Sequence, residues 1–280
     1  MIRLGICNEL FEGWNFARVC HFVKECGYDG LEIAPFTLAQ TINDLTTDAR
    51  REHRTIVHDA GLETIGLHWL LAKTEGLHLT SPEPSIRRAT GDYLVALAEA
   101  ALDLGGRLLV LGSPKQRSLL PGVSHDEAVE YALDVFHRVM PEIGAMGVDL
   151  CLEPLAPNDT DFINTCAEAM DVIRRVDHRQ FKLQLDVKAQ SSESGASVAE
   201  LARRYAPFAG HFHAQDKNLR APGMGDVDFG PIMQSLADAN YDRWVSIEVF
   251  DFSPGAEEMA KSGIACLKQA LAQARTATAV

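Results

Sequence analysis

Val148-Asp149-Leu150-Cys151-Leu152-Glu153-Pro154 is a short apolar run that ends on a carboxylate and is closed by proline. It is too short for an ordinary helix, and proline both fixes φ and lacks an N–H, so the run predicts a buried strand over residues 148–153. Its centre is apolar on both faces, as expected where helices cover both sides of a parallel sheet. The same pattern recurs downstream. Residues 182–186 end on Asp186, residues 210–213 end on His213, and residues 244–249 carry Glu248. Upstream, strands are predicted at 2–7, 31–34, 63–68 and 108–111. Helical patterns lie between the strands at 16–26, 47–60, 86–104, 124–146, 165–176, 229–239 and 257–272, the last few residues being expected to fray. Gly27, Gly61 and Gly105-Gly106 stop three of these helices, and Ser124 with Glu127 forms a capping-box pattern at the start of another. No helix is assigned between 186 and 210.

Alternating strands and helices signify a parallel sheet. With eight strands and 280 residues, the fold expected is α/β, a (β/α)8 TIM barrel forming one domain over 1–280; such barrels typically have about 250 residues. A doubly wound dinucleotide-binding sheet would carry a glycine-rich loop after the first strand. Asn8-Glu9-Leu10-Phe11-Glu12-Gly13 stands there instead.

Composition narrows the function classes. A formal net charge of −13 argues against nucleic acid, whose phosphates need a basic surface. No run approaches the roughly 18 apolar residues of a membrane span, and the first residues enter a strand without a signal-type apolar region. The six cysteines are irregularly spaced with no CxxC pair, which fits a reduced, cytoplasmic setting.

Active sites of such barrels lie at the C-terminal ends of the strands. Four consecutive strands there deliver Glu153, Asp186, His213 and Glu248. Any one of these carboxylates is as readily a salt-bridge partner or a helix cap. Three gathered together would repel unless a cation sat among them. Oxygen-rich ligation with one imidazole suits Mn²⁺, with Mg²⁺ or Co²⁺ as alternatives, better than structural Zn²⁺. His211 shares a side of its strand with His213 and reads as a packing residue. His68 could reach a substrate or sit in the core, and the role of Glu32 is open. Trp14 and Trp69 read as core or lid packing before sugar-stacking walls. Lys115-Gln116-Arg117 reads as a solvated loop, or as a carboxylate or phosphate binder.

At these residues the chain resembles the xylose-isomerase-like barrel family of sugar isomerases and epimerases, and within it the ketose 3-epimerase branch of tagatose/allulose and keto-gluconate epimerases. The matching segments are Leu152-Glu153-Pro154-Leu155, Thr160-Asp161-Phe162-Ile163-Asn164-Thr165, Gly210-His211-Phe212-His213, Pro222-Gly223-Met224-Gly225-Asp226-Val227-Asp228-Phe229 and Val245-Ser246-Ile247-Glu248. The resemblance implies one divalent metal on Glu153, Asp186, His213 and Glu248, with Glu153 and Glu248 as acid and base acting through an enediolate. It also implies a homo-oligomer, a dimer or tetramer. Three substrate-contact positions depart from the family pattern. An alanine, Ala189, stands three residues after Asp186 where a histidine is usual. Asp159 stands where a glutamate is usual, and Leu219, with Arg220 beside it, where an arginine is usual. The expected substrate contacts are therefore Asp159, Lys188, Arg220, His68 and Lys115, on a sugar that differs from the usual one.

The leading expectation is a metal-dependent sugar isomerase or epimerase. A lyase of the same fold, eliminating a β-leaving group from a 3-keto-sugar or keto-glycoside, is the first rival. A DNA-repair endonuclease is disfavoured by the charge and by the few rim histidines. A sugar-binding protein without catalysis is disfavoured by the presence of both Glu153 and Glu248.

Overall fold

A computed structural model describes the backbone of residues 1–278 and the side chains of residues 1–274. In chain order the elements are β1 Arg3–Cys7, α1 Phe16–Cys26, β2 Gly30–Ile33, α2 Thr47–Asp59, β3 Glu63–Leu67, α3 Pro84–Leu104, β4 Leu108–Leu111 and α4 His125–Ala145. They continue with β5 Asp149–Leu152, α5 Cys166–Val176, β6 Phe181–Asp186, α6 Val187–Gln190, α7 Val198–Tyr205, β7 Ala209–Ala214, α8 Phe229–Asp238, β8 Trp244–Ile247 and α9 Ala256–Thr278. Each strand pairs in parallel with the next, and β1 pairs with β8, so the sheet closes. This is a (β/α)8 TIM barrel.

Local chemistry accounts for the element ends. Asn15 accepts from the backbone N–H groups of Ala17 and Arg18 to start α1, and Gly27 ends it at φ 88°, where a side chain would be strained. Ser124–Glu127, Thr165–Glu168 and Ser197–Glu200 close reciprocal capping boxes on α4, α5 and α7. Where β3 and β4 meet, a Cβ on Gly66 would run into the Leu108 carbonyl oxygen, so only glycine lets the strands approach.

Strand bounds fall within two residues of the expected ones; β3, for example, ends at Leu67, one residue before His68. The larger departure lies between β6 and β7, where no helix was expected. The chain forms α6 and α7 there, the second announced by Ser197 and Glu200 three residues apart. Val198, Leu201, Ala202 and Tyr205 keep a helical spacing on its inner face, but over only eight residues. Helix α9 reaches Thr278 instead of residue 272. Of the residues expected to fray, 279 and 280 lie outside those described. No helix among the described residues is long and apolar enough to cross a membrane.

Side chains two apart on a strand face the same side. On β8 and its extension these are Trp244, Ser246 and Glu248. Trp244 joins Ile65, Leu108, Val110 and Cys151 in an apolar cluster toward the N-terminal end of the barrel, while Glu248 stands at the C-terminal mouth. A Cβ on Gly30 would lie 2.7 Å from the Trp244 ring, so the small residue makes room for the large one.

Candidate metal centre and active site

Glu153 leaves β5 one residue past its end, Asp186 ends β6, His213 lies near the end of β7, and Glu248 follows β8. Their side chains converge at the mouth: one donor atom from each lies within 4.8 Å of all the others, and all four residues are buried. The strands lie side by side, and each presents its last inward position to the same point.

A second set of residues fixes this one. Glu32 on β2 reaches across the interior to His213 Nε2 at 3.1 Å and to His211 Nε2 at 2.7 Å. With Nε2 engaged by a carboxylate, His213 offers Nδ1 as its free donor, the carboxylate–imidazole arrangement common behind metal-binding histidines. His68 holds Glu248 Oε1 through Nδ1 at 3.0 Å, and its Nε2 lies 3.0 Å from Glu9 Oε2. Trp69 Nε1 donates to the same Glu248 oxygen at 2.8 Å. Asp186 accepts from Ala189 N at 2.7 Å and from Gln215 Nε2 at 2.6 Å. Arg117, 1% exposed, donates to the carbonyl oxygens of Glu153 and Ile163 at 2.6 and 3.2 Å, clamping the backbone that carries Glu153. Gly112 at the end of β4 leaves the space that the Glu153 carboxylate enters; a Cβ there would collide with Glu153 Oε2.

Electrostatics separates the carboxylates. Burial, with Asp186 and Glu248 close by, pushes the Glu153 carboxyl well above its usual range. Burial and Glu248 push Asp186 up to about 6. Burial would also raise Glu248, but His213 and His68 outweigh it and hold Glu248 low. Burial likewise would raise Glu32, and His211 and His213 hold it well below the usual range. Burial alone would lower His68; Glu9 and Glu248 lift it to about 10.

The donor set fits a divalent ion. Three carboxylates and one imidazole are the hard ligands such ions take, and Glu153 and Asp186 are left with repulsion that a cation would relieve. His213 Nδ1 is buried without a hydrogen-bond partner although Glu248 Oε2 lies 3.0 Å away, as a nitrogen directed at a metal would be. Two other close groups, Glu9–His68–Glu248 and Cys7–Glu32–His68–His213, fit less well. There the carboxylates already face imidazoles, and the Cys7 thiol is pushed well up by burial and by Glu32.

The cluster opens into a cavity of about 150 Å³ lined by His68, Trp69, Gly112, Glu153, Asp159, Asp186, Lys188, Ala189, Glu248 and Phe250, among others. Of the expected substrate contacts, His68, Asp159 and Lys188 line it. Lys188 Nζ is also paired to Asp159 Oδ2 at 2.7 Å, so the salt bridge and the cavity position hold together. The other two expected contacts lie away from it. Lys115 is exposed on a short turn and does not line the cavity; its neighbour Arg117 turns inward. Arg220 is drawn to Asp251 at 2.8 Å and Ser253 at 3.2 Å, outside the cavity. His211 is the expected packing residue, bound to Glu32. Trp69, read as packing, contacts Glu248 directly.

Glu9, Gln215 and Arg117 are the supporting residues that sequence reasoning missed in these roles. Gln215 lies two residues beyond His213, so the period of two would have placed it on the inner side, whereas Glu9 lies on a 3-10 turn past the end of β1. Two of the quoted motifs, at 160–165 and 222–229, are held by hydrogen bonds that shape their loops. Asp216 accepts from the N–H groups of Gly225 and Val227, both at 3.0 Å, and shapes the 222–229 loop. Asn164 Nδ2 donates to the Leu155 and Thr160 carbonyls at 2.8 and 2.9 Å.

The mouth of this closed barrel thus gathers three carboxylates and an imidazole into a donor set that could hold a divalent cation. The description "Xylose isomerase-like TIM barrel" matches residues 20–270, and the chain belongs to that family. It is 28% identical over 234 residues to the D-psicose 3-epimerase of Ruminiclostridium cellulolyticum, covering 81% of this chain and 76% of that one. It is 23% identical over 258 residues to the 3-dehydro-D-guloside 4-epimerase of Escherichia coli, covering 88% and 92%. The solved D-psicose 3-epimerase of Clostridium cellulolyticum with D-tagatose superposes with a TM-score of 0.84 at 22% identity, covering 96% of this chain and 99% of that one. At that identity the superposition establishes the fold.

Proposed function

We propose that this protein is a divalent-metal-dependent sugar isomerase or epimerase acting on a ketose or keto-sugar through an enediolate. The observation that carries the reading is the convergence of Glu153, Asp186, His213 and Glu248 within 4.8 Å at the floor of one cavity. A divalent cation held by these four, Mn²⁺ first and Mg²⁺ or Co²⁺ as alternatives, would polarise a substrate carbonyl and acidify the adjacent C–H. Glu248, fixed by His68 and Trp69, takes that proton. Glu153 arrives from a strand three places away and returns a proton to the other face. Asp159 and Lys188 at the cavity wall orient substrate hydroxyls. Relatives named as sugar epimerases support the reaction class. We further read residues 1–280 as one domain that assembles as a homo-oligomer.

One observation favours a second reading. Ala189 lines the cavity where the family pattern has histidine, and Asp159 is tied to Lys188, so the substrate environment has changed around an unchanged acidic cluster. The same proton abstraction followed by loss of a β-leaving group would make the protein a keto-glycoside lyase.

The test is a screen of ketoses and 3-keto-sugars in deuterated water with added Mn²⁺. Deuterium uptake at one carbon, lost on chelation, is expected. Uptake accompanied by release of a leaving group selects the lyase; no uptake on any keto-sugar removes both readings.

A further inference from the structure

A second chamber of about 490 Å³ lies beside the reaction cavity and shares two of its walls, Trp69 and Phe250. Its remaining aromatic walls include Phe11, Trp14, Phe36 and Phe252. The rings are held in place: Trp69 lies 5.9 Å from Phe36 and 5.9 Å from Phe250, and Trp14 lies 5.4 Å from Phe11. Phe252 is 40% exposed at the edge, an unusual exposure for a ring that has a chamber to close. A wall of aromatic faces with a few fixed polar groups is how proteins bind the apolar faces of ring ligands.

The polar groups narrow the occupant. Glu9 lines this chamber and is 7% exposed, and its Oε1 has no hydrogen-bond partner. A buried acceptor without a partner is costly unless a ligand supplies one. Glu12 also lines the chamber, and the one cation lining it among the described residues, Lys73, sits 4.2 Å over the Phe36 ring. Two carboxylates against one lysine disfavour a phosphate or carboxylate and favour a neutral, hydroxyl-bearing ring. Trp69, bonded to Glu248, and Phe250 line both spaces, so an occupant of the chamber lies next to the reacting sugar.

We propose that the aromatic chamber binds the second, neutral ring of a glycoside whose keto-sugar ring occupies the reaction cavity, so that the substrate is a keto-glycoside and not a free ketose. This rests on the keto-sugar reading above. Glu9 then has two contacts to make, His68 on one side and a hydroxyl of the outer ring on the other.

Two of the three tryptophans of the chain, Trp14 and Trp69, line the chamber, so intrinsic fluorescence reports binding without turnover. The probes are methyl 3-keto-β-glucoside and 3-keto-cellobiose, each titrated by fluorescence and assayed for deuterium uptake with Mn²⁺ present. A Kd at least tenfold lower for the disaccharide is expected. Phe252→Ala, at an exposed position, should reduce that ratio several-fold; Trp14→Ala should do the same and Trp14→Phe should largely restore it. Equal Kd values for the two probes, or a ratio untouched by both alanine variants, would overturn the proposal. Exchange without a disaccharide advantage leaves the keto-sugar reading standing and the subsite refuted. A disaccharide advantage without exchange does the reverse.

Discussion

The two ends of the barrel are built from the same strands and obey opposite rules. Toward the N-terminal end Ile65, Leu108, Cys151 and Trp244 pack as an apolar plug, whose inner member Val110 reaches the floor of the reaction cavity. The plug is sealed by the Arg3 guanidinium 3.9 Å over the Trp244 ring and by Arg243 paired to Asp149 at 2.9 Å. At the mouth Glu9, Glu32, Glu153, Asp186 and Glu248 are buried with His68, His211 and His213. The plug gains from every side chain taken out of water. Each charge at the mouth loses hydration and is stable only through an imidazole, a guanidinium, a backbone amide or a cation. Stability is therefore concentrated at one end and reactivity at the other, and substitutions at the two ends should separate the two properties.

The largest separation is expected from Glu153→Gln. Loss of one acid–base group removes about 10³-fold in rate, read as deuterium uptake. The metal-free protein should keep or slightly raise its melting temperature, because the substitution removes a carboxylate that Asp186 and Glu248 repel. A melting temperature lowered as far as by a core substitution would erase the contrast between the ends. Trp244→Ala is the opposite case. It empties the plug and should cost about 3–5 kcal/mol in chemical denaturation while the turnover of the surviving folded fraction changes little. A turnover loss comparable to that of Glu153→Gln would show that the plug sets the mouth geometry.

A finer cut lies within the mouth itself. Glu32→Gln leaves the four inferred ligands untouched and weakens the group that orients His213. Partners of this kind affect metal affinity by about 10–100-fold, so Mn²⁺ titration calorimetry should show a loss in that range. Unchanged affinity would mean that His213 Nδ1 is not directed at a metal.

How much of this could be read from residue order follows from the same contrast. The barrel and the cluster were legible because a carboxylate at the end of an apolar strand is a local anomaly, and Glu153, Asp186 and Glu248 repeat it at strand intervals. Glu9 and Arg117 were obscure in their supporting roles because each sits on a turn after a strand, where burial depends on what another segment brings up: His68 in one case, the Glu153 backbone in the other. The positions of Lys115 and Arg220 were not legible because a long side chain reaches many partners, and the acid at Asp251, distant in sequence, decides where Arg220 goes. Helix α7 was missed because its capping residues, Ser197 and Glu200, lacked a long apolar stripe to confirm them.

That helix supplies the smallest effect. Ser197 accepts from Glu200 N, and Glu200 accepts from the Ser197 amide at 2.7 Å and hydroxyl at 2.8 Å. These bonds hold the Glu200 carboxyl below its ordinary 4.5. A depressed folded value means that the contribution of the carboxylate is present above that ordinary value and is lost as the pH falls through the folded one. Ser197→Ala should therefore lower stability slightly at neutral pH, as loss of an N-cap does, and the gap from the parent protein should narrow in acid. Helix α7 leads into the start of β7, four residues before His213, so the loss falls on the outer ring and Mn²⁺ affinity should stay as in the parent. If affinity falls with it, strain at the outer ring is passed along β7 to His213, and the two ends are less separate than their chemistry indicates.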